Sequence, residues 1–283
     1  MKITHLLILA GLSLTATLTS CEKEHIAPVT RPDQPPVSQP TTPAPTTPPP
    51  TTTPPNNTPP NNTPPPVTTS SLLTEMGTRI LKYDTQGRLI EVGYSDQMYL
   101  GYTIVYEGNK PVRLNYKTGG WVIYRYEGDK VVEATSYYGE NLVNYHYDFE
   151  YEGDRMVKET TMSYARSDVG QLGISNYKYD ANGNLTEISV RWSTSNKPED
   201  LTNPSVITFG AYDSNPNPVP LAYGNYYLPN VKLSTNNPGY RDAGLGKEYY
   251  SYEYHESGMP AKRTTTLQAF PYAQPFREQY TYK

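Results

Sequence analysis

A short pattern that starts at a tyrosine, passes through a turn and ends at an apolar residue recurs along this chain, and it restricts the chain to a repetitive fold. Five copies begin at Tyr83, Tyr106, Tyr126, Tyr151 and Tyr179. Their starts are 23, 20, 25 and 28 residues apart, a spacing typical of proteins in which each repeat is one supersecondary unit. A looser copy begins at Tyr254, and Tyr212 begins a degenerate one.

Each copy has the composition of a β-hairpin. In three copies a Gly-Asn or Gly-Asp pair follows the tyrosine and its acidic neighbour, and such pairs favour tight hairpin turns. In the copies at Tyr83 and Tyr179 the glycine comes later, which favours a longer loop. An apolar residue six places beyond the tyrosine is expected to start the return strand; these residues are Leu89, Val112, Val132, Val157 and Leu185.

Aromatic and polar residues alternate before the turns, as in a half-buried strand. The alternation predicts that Tyr145, Tyr147, Phe149 and Tyr151 share one face, and that His146, Asp148 and Glu150 share the other. All 28 tyrosines lie within residues 72–283, against 4 Phe and 2 Trp in the whole chain. Because the hydroxyl of a buried tyrosine needs a hydrogen-bond partner, a core rich in tyrosine favours a thin, partly hydrated layer over a deep apolar interior. Together with the repeated hairpins, this predicts an all-β antiparallel meander that forms a large curved or barrel-like sheet.

The N-terminus is predicted to be a signal peptide, residues 1–20. It has a basic start at Lys2, an apolar run too short to span a bilayer, and the small Ser20 before Cys21. Leu18 to Cys21 resembles a bacterial lipobox, which implies a lipid on Cys21 and makes residues 21–26 a lipidated anchor. The expected location is the cell envelope, on the surface or periplasmic face of the outer membrane.

Residues 27–71 are rich in proline, threonine and asparagine. Between Pro28 and Pro66 lie 17 of the chain's 28 prolines, and almost no apolar residue is present to build a core. This composition predicts a disordered, extended stalk. The predicted β domain is therefore residues 72–283.

Two resemblances follow from these motifs. The stretch from Tyr179 to Leu185 resembles the consensus of the Tyr-Asp repeats in Rhs-type bacterial surface proteins, and Tyr83 to Leu89 is nearly as close. The whole layout, with its Asn/Pro-rich stretch before the last repeat, is similar to a family of uncharacterised lipoproteins of Gram-negative gut anaerobes, a domain of unknown function with a porin-like fold. The resemblance implies a many-stranded antiparallel sheet and brings no catalytic residue.

The residues do not predict catalysis. Residues 72–283 hold two histidines, His146 and His255, and no cysteine, and no triad order or metal-ligand spacing surrounds them. We expect no enzyme, no metal and no cofactor. The recurring acids Asp84, Glu107, Glu127, Glu152 and Asp180 are expected to cap turns rather than to form a catalytic carboxylate pair. The formal charge of −4 argues against nucleic acid as a partner.

Binding is the first interpretation. Exposed aromatic side chains suit stacking on sugar rings, and the candidates are Trp121, Trp192, Tyr223, Tyr226, Tyr227 and Tyr240. The last four lie in a proline-interrupted stretch, residues 196–247, that breaks the hairpin rhythm. Burial of these aromatics at the end of the sheet is the structural alternative. The expected partner is a saccharide or an envelope protein.

Two further interpretations remain open. A scaffold or adhesion protein could pair with a partner through an uncovered terminal strand such as Glu278 to Tyr282. A membrane-inserted pore is the other, although such a barrel needs an aliphatic lipid-facing band, whereas tyrosines occupy the middle of these strands.

Overall fold

The computed structural model describes residues 72–166, 168–220, 228 and 231–283. Within them, sixteen antiparallel strands follow one another as a meander. The strands are β1 Leu73–Met76, β2 Arg79–Tyr83, β3 Leu89–Tyr94, β4 Tyr102–Glu107, β5 Lys110–Tyr116, β6 Trp121–Glu127, β7 Lys130–Gly139, β8 Leu142–Glu152, β9 Arg155–Ser163, β10 Gln171–Tyr179, β11 Leu185–Trp192, β12 Ser205–Gly210, β13 Tyr240–Asp242, β14 Lys247–Tyr254, β15 Pro260–Leu267 and β16 Phe276–Tyr282. Across these described ranges, no helix has both the length and the apolar character needed to cross a membrane.

The meander closes into a barrel, which confirms the predicted fold class. β16 pairs with both β15 and β1, with Leu73 opposite Tyr282 and Met76 opposite Tyr280. The expectation that Glu278 to Tyr282 is an uncovered edge is therefore wrong. Closure gives each terminal strand a paired neighbour on both sides, so neither strand is a free edge for a partner.

The barrel has two unlike ends. The proximal end holds Leu72, Lys283, the turns of the tyrosine repeats, and the described residues of the β12–β13 connection, which are 211–220, 228 and 231–239. The amide of Lys283 donates to the carbonyl oxygen of Leu72 at 3.1 Å, so the two termini of the domain meet there. The distal end holds the intervening loops, such as residues 95–101 and 268–275.

Side chains alternate between the barrel interior and its outer wall as the sequence predicts. On β8, Tyr147 and Phe149 are buried with rings stacked 6.2 Å apart, while Asp148 and Glu150 are exposed. Buried residues from strands all around the barrel form one hydrophobic core. Leu228 and Leu233, from the β12–β13 connection, are part of that core with 0% and 2% exposure. Described residues of this connection therefore plug the proximal end.

Hydroxyl groups of the repeat tyrosines form a ladder around the proximal end. The tyrosines of the first five copies, and Tyr282 at the end of β16, donate to a backbone carbonyl oxygen of an earlier strand at 2.7–2.8 Å: Tyr83 to Leu73, Tyr106 to Leu89, Tyr126 to Pro111, Tyr151 to Val131, Tyr179 to Met156 and Tyr282 to Pro260. Tyr212, in the degenerate copy, bonds Leu185 in the same way. The tyrosine ladder thus supplies the partners that buried phenols require, and it ties successive hairpins together.

The position of the inward apolar residue depends on the turn. After the longer turns, Leu89 and Leu185 lie six places beyond the tyrosine and start β3 and β11, as predicted. Both residues are buried. After the two-residue turns the buried residue comes one place earlier; it is Pro111, Val131 or Met156. Val112, Val132 and Val157 were expected to start return strands, and this expectation is wrong, because the two-residue turns let those strands start two residues earlier, at Lys110, Lys130 and Arg155.

The acidic residues at the longer turns also differ in role from those beside the two-residue turns. The carboxylates of Asp84 and Asp180 each accept two backbone amides of their own turn at 2.8–2.9 Å, as expected of turn-capping residues. These bonds hold the pKa of both carboxyl groups below its ordinary value. Glu107, Glu127 and Glu152 instead end their strands on the exposed wall, in register with a basic residue. A capping role for these three glutamates was the wrong expectation.

Candidate functional site

The predicted ligand-binding residue Trp121 lies on the outer wall, with both ring faces covered. Its ring stacks on Tyr137 of β7, with centroids 5.5 Å apart and planes 18° apart. The guanidinium carbon of Arg113, on β5, lies 4.8 Å from the ring centroid. Because β5 and β7 flank β6 on opposite sides, Trp121 offers no open face for a sugar.

Trp192 and Tyr240 both cover a glycine of the neighbouring strand. A Cβ atom added to Gly173 would lie 2.7 Å from the ring of Trp192, and one added to Gly210 would lie 2.7 Å from the hydroxyl of Tyr240. The ammonium of Lys247 lies 4.1 Å from the ring centroid of Tyr240. Aromatic rings that cover strand glycines stabilise a sheet, so both residues have structural roles.

The three described candidates are not brought together. Trp121, Trp192 and Tyr240 are on β6, β11 and β13, with Trp192 inside and the other two outside. Tyr223, Tyr226 and Tyr227 lie outside the described residues, as do Cys21 and the predicted stalk.

A different set of residues gathers at the distal end. Of the fourteen exposed large apolar side chains in the described ranges, ten lie in or beside distal loops. This distal rim consists of Met98, Tyr99, Tyr138, Leu142, Val169, Leu245, Leu267, Phe270, Tyr272 and Phe276. Tyr272 is 98% exposed and Met98 is 78% exposed. Exposed apolar side chains concentrated in one region are typical of an interaction surface.

Tight turns hold one part of the rim in place. In the β15–β16 loop the amides of Phe270 and Ala273 donate to the carbonyls of Leu267 and Phe270 at 3.1 and 3.0 Å. The amide of Gln268 donates to the carbonyl of Lys247 at 2.8 Å, and the amide of Lys247 donates to the Gln268 side chain at 2.9 Å. These bonds join the β13–β14 loop, which carries Leu245, to the β15–β16 loop, which carries Phe270 and Tyr272.

A charged layer lies just inside this part of the rim. Arg241 on β13 donates to Glu248 on β14 at 2.7 Å, and the hydroxyl of Tyr250 donates to the other oxygen of Glu248 at 2.7 Å. Arg263 donates through Nε to Glu278 at 2.7 Å, and its guanidinium lies 5.0 Å from the ring centroid of Tyr250.

The charged layer is electrically balanced. Burial works to lower the pKa of Arg263, but the phenol of Tyr280 and the carboxylate of Glu278 raise it above its ordinary value. Arg263 is therefore held as a cation against Glu278. Each guanidinium of the layer has a carboxylate partner, so the layer is suited to holding the wall together beneath the rim.

The outer wall of the barrel is charged. Cross-strand ion pairs join Lys82 to Glu91 at 3.0 Å, Arg125 to Glu133 at 2.8 Å, Lys158 to Glu150 at 2.7 Å and Lys178 to Glu187 at 2.8 Å. The apolar and tyrosine side chains that form the core point the other way. This distribution is the reverse of a transmembrane barrel, which has an apolar outside and a polar lumen.

A cleft of about 300 Å³ lies at the proximal end. Its walls include Leu73, Tyr83, Tyr106, Pro218 and Pro220. The hydroxyl groups of both tyrosines already bond backbone carbonyls in the ladder, so they give the cleft little recognition chemistry.

Sequence reasoning missed both the rim and the charged layer. Rim residues lie in or beside loops that share no sequence motif, so only their common position at the distal end distinguishes them. The charged layer had a usable signal, because β14 alternates Glu248, Tyr250, Tyr252 and Tyr254 and so places Glu248 on the inward face.

Solved structures share this architecture. A porin-like protein from Bacteroides vulgatus matches 75% of this chain and 99% of its own, with a TM-score of 0.51 and 16% identity. A porin-like protein from Bacteroides uniformis matches 72% of this chain and 89% of its own, with a TM-score of 0.50 and 14% identity. No protein-family model and no curated protein matches the chain. At these identities the likeness establishes the fold, a porin-like β-barrel, and that fold is the one the family resemblance implies.

Proposed function

We propose that this protein is an envelope lipoprotein, anchored to the outer membrane through a lipid on Cys21, that binds a ligand at the distal rim. The role is binding rather than catalysis. The observation that carries the proposal is the concentration of exposed apolar side chains at the end of the barrel opposite Leu72.

The chain's topology supports a rim that is available to a ligand. β1 begins at the proximal end, so Leu72, the first described residue, lies at the end of the barrel opposite the rim. Loops carried by a rigid scaffold are frequent binding sites. Here the scaffold is a closed barrel.

A saccharide is the first ligand class to test. Five rim residues are aromatic, namely Tyr99, Tyr138, Phe270, Tyr272 and Phe276. Aromatic rings provide flat apolar area, and the tyrosine hydroxyl adds a polar group at its edge. A protein partner is the alternative class, because Met98, Leu142, Val169 and Leu245 add aliphatic surface to the same end.

The test is a glycan-array screen of the unlipidated chain from Glu22 to Lys283. A variant with Phe270→Ala and Tyr272→Ala removes rim aromatics, and Ile123→Ala with Val206→Ala is the control for exposed apolar residues of the wall. We expect a hit that the rim variant loses and the control keeps. A hit unaffected by the rim variant would place the site elsewhere, and no hit at all would reject the saccharide class in favour of a protein partner.

The anchor is tested separately. Cells that express the chain are grown with labelled palmitate, and we expect the label to enter the wild-type protein and not Cys21→Ser. Label retained in the Cys21→Ser protein would refute the proposed lipidation site.

A pore is the second candidate, because the solved structures that share the fold are porin-like. Membrane insertion would place Arg125, Lys158 and Lys178 against lipid, and each such cation costs about 2–4 kcal/mol at the bilayer midplane. We therefore favour a barrel outside the bilayer. Stable channel conductance of the unlipidated chain in planar bilayers would reverse that preference.

A further inference from the structure

Three side chains capable of binding a metal meet on the outer wall of β7 and β8. They are Glu133, His146 and Asp148, and one donor atom of each lies within 4.8 Å of the others. Glu133 pairs with Asp148 across the two strands, and His146 is one outward position away on β8. The barrel wall, rather than a loop, therefore sets their spacing.

The histidine ring is already oriented. Thr135 Oγ1 lies 3.0 Å from His146 Nδ1, and Asp148 Oδ1 lies 3.7 Å from His146 Nε2. In the tautomer that carries its proton on Nδ1, this N–H donates to the threonine hydroxyl and the Nε2 lone pair is on the side of Asp148. A histidine that binds a metal usually donates its other ring N–H to a neighbouring oxygen, which fixes the tautomer.

The charge of the cluster also favours a cation. Arg125 Nε donates to Glu133 Oε2 at 2.8 Å, while Oε1 of that carboxylate lies 3.9 Å from His146 Nδ1. Arg125 also donates through Nη1 to Glu127 Oε1 at 3.0 Å. Three carboxylates therefore surround one guanidinium and one histidine, and Glu133 keeps an oxygen that Arg125 does not occupy.

We propose that Glu133, His146 and Asp148 bind a divalent transition-metal ion of the zinc and copper class, with water completing its coordination. One imidazole nitrogen with two carboxylates suits these ions, whereas calcium and magnesium prefer oxygen ligands alone. Bonds of about 2.0–2.2 Å require the donor atoms to draw closer than they stand. The Asp148 side chain is 56% exposed and can rotate to close that gap.

The position of Trp121 provides a direct readout. Ile123 lies opposite Thr135, which lies opposite His146, and Trp121 is the next outward residue along β6. Successive outward residues of a strand are about 7 Å apart. Copper(II) in the site should therefore quench Trp121 fluorescence, and a Trp192→Phe background leaves Trp121 as the remaining tryptophan.

The experiment uses the tag-free chain from Glu22 to Lys283, with His25→Gln and His255→Gln in every variant so that His146 is the one histidine left. Zinc affinity is measured by calorimetry and copper binding by quenching. We expect one ion per chain, affinity at least tenfold weaker in His146→Gln and in Asp148→Asn, and a severalfold loss in Thr135→Val. Glu150→Gln, an outward carboxylate on the same strand, is the matched control and should change affinity less than twofold.

Each outcome decides the matter. The proposed site is supported if metal affinity falls in His146→Gln and Asp148→Asn and is retained in Glu150→Gln. Absence of stoichiometric binding by the unsubstituted cluster overturns it, as does binding that survives His146→Gln. Equal losses in Asp148→Asn and Glu150→Gln would indicate general electrostatic attraction and would also overturn it.

Discussion

At the scale of single residues, tyrosine packs against an aliphatic core and also supplies hydrogen bonds to it. Its ring fills the interior, and its hydroxyl reaches a backbone carbonyl of an earlier hairpin, as in the bond of Tyr151 to Val131 at 2.8 Å. Burial raises the pKa of Tyr83, Tyr151 and Tyr212 to about 12 from the ordinary value of 10. The neutral phenol is therefore part of the folded state.

These shifts predict loss of stability in alkali. The unfolded chain ionises its tyrosines near pH 10, whereas the folded barrel holds these protons until about pH 12. Their contribution to the free energy of unfolding is thus complete below pH 10 and declines as the pH rises towards 12. We expect tyrosinate absorbance of the buried rings to appear together with loss of the β-sheet circular dichroism signal.

Single substitutions sharpen this pH test. Tyr151→Phe should make the alkaline decline shallower, and Tyr272→Phe, at a position 98% exposed, should leave it unchanged. Titration of every tyrosine near pH 10 with the sheet signal intact would contradict the prediction.

At the scale of elements, the hairpin turn decides which side chain enters the core. The two-residue turn at Gly153-Asp154 makes Met156 the inward residue with 1% exposure, and Val157 is only half-buried. The repeat pattern had instead predicted that Val157 starts the return strand, which begins at Arg155. Turn length and the register shift beside Tyr151 move the inward position by one residue.

The register at this hairpin can be tested by truncation. We expect Met156→Ala to lower the free energy of unfolding by about 2–5 kcal/mol, because it leaves a cavity in the core. Val157→Ala should cost clearly less. Urea denaturation measures both values, and a larger loss for Val157→Ala would show that the hairpin pairs in the other register.

At the scale of the whole molecule, the pairing of β1 with β16 determines the architecture. β1 and β16 are separated by about the full length of the domain, and their pairing converts an open sheet into a barrel. Thr281 Oγ1 lies 3.5 Å from a carboxylate oxygen of Glu75, so these two side chains meet on the outer wall across the seam.

An engineered disulfide tests closure directly. In the chain from Glu22, which lacks Cys21, Glu75→Cys with Thr281→Cys should oxidise to an intramolecular disulfide, because paired strand positions have suitable Cα separation. The crosslinked chain should migrate faster on a non-reducing gel. Glu75→Cys with Glu253→Cys is the control, since Glu253 on β14 is three strands away. Dimers without the intramolecular bond in the test pair would indicate an open sheet.

The features that were predicted from the sequence depend on interactions between residues close together in the chain. Glycine-centred turns, alternation along strands such as β8, and tyrosines that need hydroxyl partners predicted an all-β meander of hairpins over residues 72–283. Each of these signals is written within a few adjacent residues, and the structure confirms the meander and the alternation.

Three features depend on contacts between distant parts of the chain: the closure of the barrel, the packing of Leu228 and Leu233 at its proximal end, and the two surface sites. The pairing of β1 with β16 depends on the accumulated twist and register of fourteen intervening strands, which no local motif records. The same long-range arrangement brings distal loops into one rim and buries Leu228 in the core. The meeting of Glu133 with Asp148 depends on the register of the β7–β8 hairpin, where two irregularities shift the pairing. Sites assembled from distant or register-dependent residues carry no continuous sequence signal, so their existence becomes visible only when the barrel is formed.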